Sequence, residues 1–286
     1  MTADPHVRAA TRHDGLLGDT IARDYSDKLS KFNAFAQPEL HALIRGLNLK
    51  SGMHVLDAGC GTGEALNWLL DEVSPAGRVV GVDLAEAHVA AAKLFAAPEI
   101  HLHQANLLDD LFEPASFDLV WCVNTINHLS DPVAGVIHLA ALLRAGGRVA
   151  IGQSSFLPDM YFAWDARLEG AVNDAVRRYY RDRYELDEHD LKAVRALVGI
   201  LRKAGLQDVA ARTVVIERVS PLDGASELYL RESIFRGTWG ERLRPYLSPA
   251  DHAELERLCD SDHADYALRR TDFHFLQTFT LVTGKV

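Results

Sequence analysis

An apolar segment near the start of the chain ends in a closely spaced glycine triplet. Residues 53–58 read Met-His-Val-Leu-Asp-Ala, and Gly59, Gly61 and Gly63 follow at alternate positions. An apolar run that stops at glycines is typical of a buried strand entering a tight turn. Residues 64–73 then repeat leucine and valine at helical spacing. This strand, turn and helix predict an open α/β sheet with the glycine loop at its carboxyl edge.

Strand and helix patterns continue to alternate after this loop. Strands are predicted at residues 53–58, 78–83, 100–103, 117–123, 148–151, 209–219 and 273–282. Helices are predicted at residues 64–73, 85–95, 133–143, 161–183, 187–204 and 223–268, with a turn at residues 145–147. Strands separated by helices pair in parallel through right-handed crossovers. The fold class is therefore α/β: a doubly wound, Rossmann-like sheet of seven strands, with a terminal antiparallel strand and helical insertions.

An acidic residue stands at the expected distance from the glycine loop. Asp83 ends the second predicted strand, twenty residues after Gly63, where a carboxylate accepts the hydroxyl groups of a ribose. The glycine spacing is Gly-x-Gly-x-Gly, whereas dinucleotide sites use Gly-x-Gly-x-x-Gly. Asp57 precedes the glycines, and its charge would repel a pyrophosphate but suit an ammonium or sulfonium group. The loop therefore favours a cationic, ribose-bearing ligand.

The composition narrows the class of protein further. A formal net charge of −10 argues against a chain held mainly by nucleic-acid phosphates, and 48% hydrophobic residues indicate a globular protein. The sequence lacks a long apolar run and a signal-peptide core, so we expect a cytoplasmic protein without a membrane span. Cys60, Cys122 and Cys259 are widely spaced, which predicts reduced thiols and no structural zinc.

Several motifs together resemble a known family. Residues 55–63, Val-Leu-Asp-Ala-Gly-Cys-Gly-Thr-Gly, are similar to motif I of class I S-adenosylmethionine-dependent methyltransferases. Further family patterns recur at residues 81–84, 104–107, 117–120 and 143–149. The resemblance covers about residues 51–153 and is strongest to the small-molecule branch that includes ubiquinone and menaquinone methyltransferases. It implies S-adenosyl-L-methionine as the cofactor and S-adenosyl-L-homocysteine as the product.

The resemblance also implies roles for individual residues. Gly59, Gly61 and Gly63 would line the methionine half of the cofactor, and Asp83 would bind the ribose. Asn106 stands where the family usually has an aspartate facing the adenine amine, and its side-chain oxygen still accepts a hydrogen bond. The other residues of the implied cofactor site are Tyr25, Asp57, Leu84, Leu107 and Val123. For Tyr25 a surface tyrosine is an equal alternative.

Candidate catalytic groups are fewer, because aligning acceptor, methyl and sulfur supplies much of the rate enhancement. His128 follows the fourth predicted strand, and a reference pKa near ~6.5 suits a general base. A helix-entry histidine bound to backbone explains it equally well. Glu169 is a second candidate, although a solvated helix face is the favoured explanation. His101 and His103 share a strand face but lack a third ligand, so no metal is expected.

The resemblance suggests how the chain is organised around this site. We expect one methyltransferase domain over residues 1–286, in which residues 1–45 form an N-terminal helical cap and 51–153 the cofactor-binding half. Residues 154–186 and 221–271 would be helical insertions that form the acceptor pocket, because aromatic residues concentrate after residue 153.

The acceptor itself stays open at this point. The basic run at residues 177–183 could clamp an anion, although a solvated helix face is the favoured explanation. The predicted activity is methyl transfer to a small-molecule acceptor that is apolar or aromatic, or anionic. A homo-oligomer is compatible with this activity. The alternatives are a nucleic-acid or protein methyltransferase and a cofactor-binding protein without transfer. Residues 124–127 lack the Asn/Asp-Pro-Pro-Tyr pattern of base amino-group methylation.

Overall fold

The computed structural model describes residues 26–154, 161–162, 165–184 and 193–286. Its strands are β1 His54–Ala58, β2 Arg78–Asp83, β3 His101–Gln104, β4 Phe117–Val123, β5 Leu143–Ser154, β6 Tyr161–Phe162, β7 Gln207–Val219 and β8 His274–Lys285. Its α-helices are α1 Ser26–Arg45, α2 Glu64–Val73, α3 Glu86–Lys93, α4 Pro132–Ala141, α5 Ala166–Tyr184, α6 Ala193–Lys203, α7 Gly224–Leu228, α8 Gly240–Leu243 and α9 Pro249–Cys259. A π-helix, Tyr229–Trp239, and short 3-10 turns join the later helices.

One mixed sheet organises the described part of the chain. Its order is β3-β2-β1-β4-β5-β8, and β7 pairs with the other side of β8. The first five strands are parallel, and β8 runs antiparallel to both β5 and β7. The two-residue β6 pairs with β8 near its start. The predicted seven-stranded, doubly wound sheet is therefore confirmed, with β6 as a short addition.

The strand order places a crevice at one edge of the sheet. Connections from β1 lead outward through β2 to β3, whereas those from β4 lead the other way through β5. The direction of winding therefore reverses between β1 and β4. Ligands of open α/β sheets bind outside the carboxyl ends of the strands at this reversal. The glycine loop follows β1, so the predicted site lies at the reversal point.

Apolar periodicity explains why the helices pack where they do. In α2, Leu66, Leu69 and Val73 are buried, as their spacing predicts. The N-terminus of α4 is capped by Asp131, whose side chain accepts a hydrogen bond from Ala134 N at 2.9 Å. Helices α1, α2 and the later insertions pack on one side of the sheet, and α4 and α6 pack on the other.

Three predicted segments differ from the structure. Tyr161 and Phe162 form β6 rather than the start of a helix, since they pair with β8. The turn predicted at residues 145–147 is an irregularity within β5, where Gly146 adopts a φ of 80°. The helix predicted at residues 223–268 is broken into short pieces, because Pro245 and Pro249 begin new turns and Gly240 has a positive φ.

The start of the helix predicted at residues 187–204 lies outside the described residues, and α6 covers its later part. Among the described helices, none combines the length and apolar character needed to span a membrane.

Candidate functional site

The glycine loop forms a tight turn that only glycine tolerates at three positions. Gly59, Gly61 and Gly63 have φ values of 82°, 52° and 86°, all in the left-handed region. A Cβ built on Gly59 would lie 2.2 Å from Oγ1 of Thr125, which follows β4. The loop is therefore packed directly against the end of the neighbouring strand, and side chains are excluded from the contact.

The backbone N–H groups of this loop are used inside the protein. Gly59 N and Cys60 N both donate to Val82 O, at 2.8 and 2.9 Å, and Gly63 N donates to Cys60 O at 2.9 Å. Gly61 N donates to Asp83 Oδ2 at 2.9 Å. A phosphate-binding loop points such groups at its anion. Because these four donors are occupied, the loop is poorly suited to an anion, which agrees with the cationic ligand predicted from its spacing.

Asp83 ends β2 and is held by several donors. Its Oδ2 accepts from Gly61 N, and its Oδ1 accepts from Ala85 N at 2.9 Å. His88 of α3, only 7% exposed, places Nδ1 3.1 Å from the same Oδ1. These bonds fix the carboxylate beside the glycine loop, and Oδ2, which accepts only one of them, keeps a lone pair for a ribose hydroxyl group.

The loop is surrounded by acidic groups in a buried setting. Asp57 is 2% exposed, and its pKa is raised well above the usual range by burial and, next, by the charges of Asp83 and Glu64. Glu64 Oε2 accepts from Thr62 Oγ1 and from Asn33 Nδ2, each at 2.7 Å. Glu64 Oε1 is buried and has no hydrogen-bond partner in the described part of the chain. A bound cation would compensate this concentration of negative charge.

Helix α1 lies over the glycine loop. Asn33 of α1 donates to Glu64, and Cδ1 of Leu29 would lie 3.2 Å from a Cβ on Gly61. Phe35 and Leu43 of the same helix are buried in the main core. Thus α1 is anchored by apolar packing and contacts the loop through its N-terminal half. Tyr25, which precedes α1, lies outside the described residues.

The predicted adenosine side of the site lies at the ends of β2 and β3. Leu84 follows β2 and is 38% exposed, a large value for a leucine beside a loop. Leu107 is half-buried and follows β3. Asn106 is exposed, and its Oδ1 accepts from Leu108 N at 3.0 Å, forming a local turn. That oxygen therefore has one acceptor position left, and this bond does not use the side-chain amide N–H groups.

The end of β4 carries the other predicted residues. Val123 is half-buried, and Thr125 Oγ1 donates to Val123 O at 2.9 Å. His128 closes a 3-10 turn in which its backbone N donates to Thr125 O at 2.9 Å. Burial raises the pKa of Cys122 to about 12, so this thiol stays protonated and is no nucleophile. The structure thus brings His128 and Val123 to the same edge as the glycine loop.

Glu169 lies on helix α5, which packs against the later helices. It is half-buried on α5, and this helix packs mainly against α8, α9 and the turn between them. The neighbouring Leu168 and Val172 point into the main core. The contacts of α5 connect Glu169 with the later insertions rather than with the glycine loop.

The aromatic and basic residues of the insertions have mixed environments. Phe235 and Trp239 are buried in the core, where their rings stack at 5.5 Å. Tyr179 is half-buried and meets Tyr246 edge to face at 6.1 Å. In the predicted anion clamp, Arg178 pairs with Asp174 at 2.9 Å and also donates to Tyr246 O. Phe235 and Trp239 therefore stabilise the core, and Arg178 makes contacts within the protein, to Asp174 and Tyr246.

Sequence reasoning missed several residues that support the site. His88 and Asn33 bind the acidic groups Asp83 and Glu64, but isolated polar residues in helices carried no signal for this role. Asn124 adopts a φ of 52° and its Oδ1 accepts from Ser154 N at 2.9 Å, tying β4 to β5. An asparagine directly after a buried strand is the signal that could have indicated such a left-handed residue.

The fold and this site define a class I S-adenosylmethionine-dependent methyltransferase, and the chain belongs to that family. Residues 55–147 match the family model described as a methyltransferase domain. A ubiquinone biosynthesis O-methyltransferase of Nitrobacter winogradskyi is 32% identical over 179 residues, covering 52% of this chain and 67% of the relative. The resemblance to quinone-type methyltransferases and the prediction of S-adenosylmethionine as cofactor are confirmed at this level.

Other relatives agree with this family. A nocamycin O-methyltransferase of Saccharothrix syringae is 28% identical over 74% of this chain and 77% of its own length. Two uncharacterised relatives are matched over only 39% and 28% of their length. The phosphoethanolamine N-methyltransferase 2 of Haemonchus contortus, solved with S-adenosyl-L-methionine, shares the fold with a TM-score of 0.53 at 18% identity, over 93% of this chain and 60% of that one.

The described residues fit this cofactor. Its sulfonium and ammonium groups are cations; Glu64, whose Oε1 has no partner among the described residues, lies beside the loop, and the buried Asp57 is a carboxyl group that a cation would help to ionise. The glycines allow close approach of a ligand to the backbone. Asp83 is fixed where ribose hydroxyl groups are bound in such sheets.

Cofactor binding is expected to release a proton from Asp57. Because the pKa of this carboxyl is raised, it holds a proton at pH values where an ordinary aspartate is ionised. A cation favours the ionised form and lowers that pKa. Affinity for S-adenosylmethionine therefore rises with pH, up to the raised pKa, and levels off above it. Calorimetric titration in buffers of different ionisation enthalpy measures the released proton directly.

The Asp57→Asn variant should bind with a flatter pH profile and without this proton release. Asp118→Asn is the matched control, because Asp118 lies in the second position of β4 at the opposite edge of the sheet. Equal proton release by the wild type and Asp57→Asn would show that another group titrates.

Proposed function

We propose that this chain transfers the methyl group of S-adenosylmethionine to a small-molecule acceptor with an apolar or aromatic body. The observation that carries the proposal is the glycine loop, whose N–H groups are bonded within the protein while carboxyl groups surround it. This arrangement selects a cation that also carries a ribose. The small-molecule acceptors named for the quinone and nocamycin relatives support the substrate class.

The residues of the chain act mainly by positioning. When bound, the cofactor supplies a methyl group on a positively charged sulfur, ready for in-line displacement. Asp83 would orient the ribose, Asp57 would offset the positive charge, and Leu84 and Leu107 would flank the adenine. Val123, at the end of β4, would face the methionine half. Correct alignment of two reactants is worth ~7–11 kcal/mol, so a rigid site explains much of the expected rate.

We assign the acceptor pocket to the segments at residues 154–186 and 221–271, above the carboxyl edge. Half-buried tyrosines such as Tyr179 and Tyr246 provide apolar surface with a polar end, which suits an aromatic acceptor. Residues 1–45 would close the cofactor side, since Asn33 of α1 donates to Glu64, the residue that follows the glycine loop. Three free cysteines support a reducing compartment such as the cytoplasm.

The proposal is tested by incubating the protein with methyl-labelled S-adenosylmethionine and fractionated metabolite extract. We expect label in a low-molecular-mass organic fraction and formation of S-adenosylhomocysteine. Cofactor binding without label transfer to any fraction would favour the non-transferring alternative. Label in RNA, DNA or protein would favour the macromolecular one.

His128 is the proposed general base for an acceptor that must lose a proton. It lies in the 3-10 turn after β4, at the same edge as the glycine loop. His128→Gln should lower kcat by about 100-fold, the lower end of general-base effects. Affinity for S-adenosylmethionine should stay within about twofold.

His138→Gln on α4 is the control, since it removes a half-buried histidine away from the loop. Glu169→Gln tests the second candidate base, for which we expect less than a tenfold loss because α5 packs with the later insertions. Loss of rate only in Glu169→Gln would transfer the role of base to that residue.

A further inference from the structure

Two buried amide side chains at the carboxyl edge have polar atoms without a hydrogen-bond partner in the described part of the chain. Asn127, in the 3-10 turn after β4, and Gln153, near the end of β5, are each 2% exposed. Neither amide atom of Asn127 has a hydrogen-bond partner among the residues that the structure describes, and the same holds for Gln153 Oε1. Buried polar groups in native proteins are nearly always satisfied by protein, water or ligand. These amides therefore indicate a partner beyond the residues that the structure describes.

The two amides follow the same end of the adjacent strands β4 and β5. Along β5, Val149 and Ile151 belong to the core shared with α4 and α6, and Gln153 continues this alternation. Ile126, the neighbour of Asn127, belongs to the same core. The last residue pair in the register between β4 and β5 is Val123 with Gly152. Gln153 is thus one residue after Gly152 on β5, and Asn127 is four residues after Val123, the last residue of β4.

Asn124 shows what a purely structural amide at this edge looks like. Its Oδ1 accepts from both the backbone N and Oγ of Ser154, at 2.9 and 3.0 Å. It therefore ties the two strands together and is satisfied within the fold. Asn127 is the same residue type three positions later and has no such bonds to the described residues, so its amide does not tie the strands together in this way.

We propose that Asn127 and Gln153 bind an uncharged part of the methyl acceptor in which a hydroxyl lies beside a carbonyl. This inference rests on the proposed methyl transfer and specifies its substrate class. The Asn127 amide both donates and accepts, and Gln153 Oε1 accepts. A hydroxyl would donate to Gln153, and the adjacent carbonyl would accept from the Asn127 N–H.

The charges near this edge disfavour an anionic acceptor. The Asn127 and Gln153 amides are neutral. Carboxyl groups lie near the ends of the adjacent strands β1 and β2, on Asp57, Glu64 and Asp83. The guanidinium of Arg178 is bound by Asp174, and that of Arg181 by Asp182, at 2.9 and 3.2 Å. A carboxylate or phosphate would meet repulsion at this edge, whereas a neutral hydroxyketone would not.

The first test uses stability. Asn127→Leu and Gln153→Met replace amides by apolar side chains of similar size, which removes the cost of burying unpartnered groups. Each variant should raise the midpoint of thermal unfolding by about 3 °C. Asn124→Leu should lower it, because that amide holds two hydrogen bonds. A lower midpoint in both Asn127→Leu and Gln153→Met would show that these amides are satisfied in the fold and would overturn the proposal.

The second test uses 2-hydroxyacetophenone as the probe, with acetophenone and salicylate as controls. With S-adenosylhomocysteine present, ligand-observed NMR should detect the hydroxyketone on the wild type, with at least tenfold weaker binding to either variant. Acetophenone, which lacks the hydroxyl, and salicylate, which is anionic, should bind at least tenfold more weakly. Absence of hydroxyketone binding, equal binding to the variants or preference for salicylate contradicts the subsite.

These outcomes are separable from failure of the proposed function. A wild type that transfers label to a metabolite fraction while failing these tests is a methyltransferase with a different acceptor subsite. A wild type that transfers no label contradicts the proposed function, whatever the amides bind.

Discussion

The Gly59→Ala variant should lose S-adenosylmethionine binding by more than 100-fold, or about 2.7 kcal/mol. At a φ of 82°, a side chain costs ~1–2 kcal/mol on its own. The new Cβ would in addition lie 2.2 Å from Thr125 Oγ1 and 2.4 Å from its Cγ2. The glycine loop must then move away from the end of β4. This movement separates the loop from the residues after β4, and the cofactor site includes both. Isothermal titration of the purified variant measures this loss.

Gly146→Ala provides the matched control. Gly146 has nearly the same φ, 80°, but a Cβ there would meet no atom within 4 Å. It should lose ~1 kcal/mol of stability, or about 3 °C in the unfolding midpoint, while cofactor affinity stays unchanged. Equal cofactor affinity in Gly59→Ala and wild type would show that the contact with Thr125 does not shape the site.

The sequence contained enough information to predict the central sheet. The strands β1, β2 and β4 and the helix α2 agree closely with their apolar patterns because each is buried on at least one side. Prediction failed where long-range pairing decided the structure. Tyr161 and Phe162 become a strand only because β8, more than a hundred residues later, offers an unpaired edge. The π-helix Tyr229–Trp239 likewise had no signal in local spacing.

The site residues that could be predicted are those whose place is fixed by their position along the chain. The glycines and Asp83 occupy fixed places after β1 and β2, so their spacing indicated a ribose-bearing ligand, and the structure joins them through the bond from Gly61 N to Asp83. The bond from Asn33 to Glu64 and the burial of Gln153 depend on how distant elements pack, and the contact of His88 with Asp83 depends on how α3 packs beside β2. Sequence alone does not show which residues of those elements lie against each other. Only the folded arrangement shows that the Asn127 amide and Gln153 Oε1 have no hydrogen-bond partner among the described residues.

The Asp83→Asn variant should weaken S-adenosylmethionine binding by about 100-fold, because an amide replaces a carboxylate that accepts from two backbone N–H groups. Gly61 N and Ala85 N each donate to one oxygen, and His88 Nδ1 lies 3.1 Å from Oδ1. Whichever oxygen becomes NH₂, a backbone donor then faces another donor, and the loop position changes. The loss should appear equally for S-adenosylhomocysteine, since both compounds carry the same ribose. Titration with each compound measures the two affinities.

Asp118→Asn separates this effect from a general loss of stability. Asp118 Oδ2 likewise accepts from a backbone N–H, that of His54 at 2.8 Å, and from Arg144 Nη1 at 2.8 Å, but it lies at the amino edge of the sheet. Its variant should unfold at a lower temperature and keep its cofactor affinity. If Asp118→Asn weakened binding as much as Asp83→Asn, the loss would reflect destabilisation of the sheet, and Asp83 would have no specific contact with the ribose. A selective loss in Asp83→Asn assigns the ribose to the carboxyl end of β2.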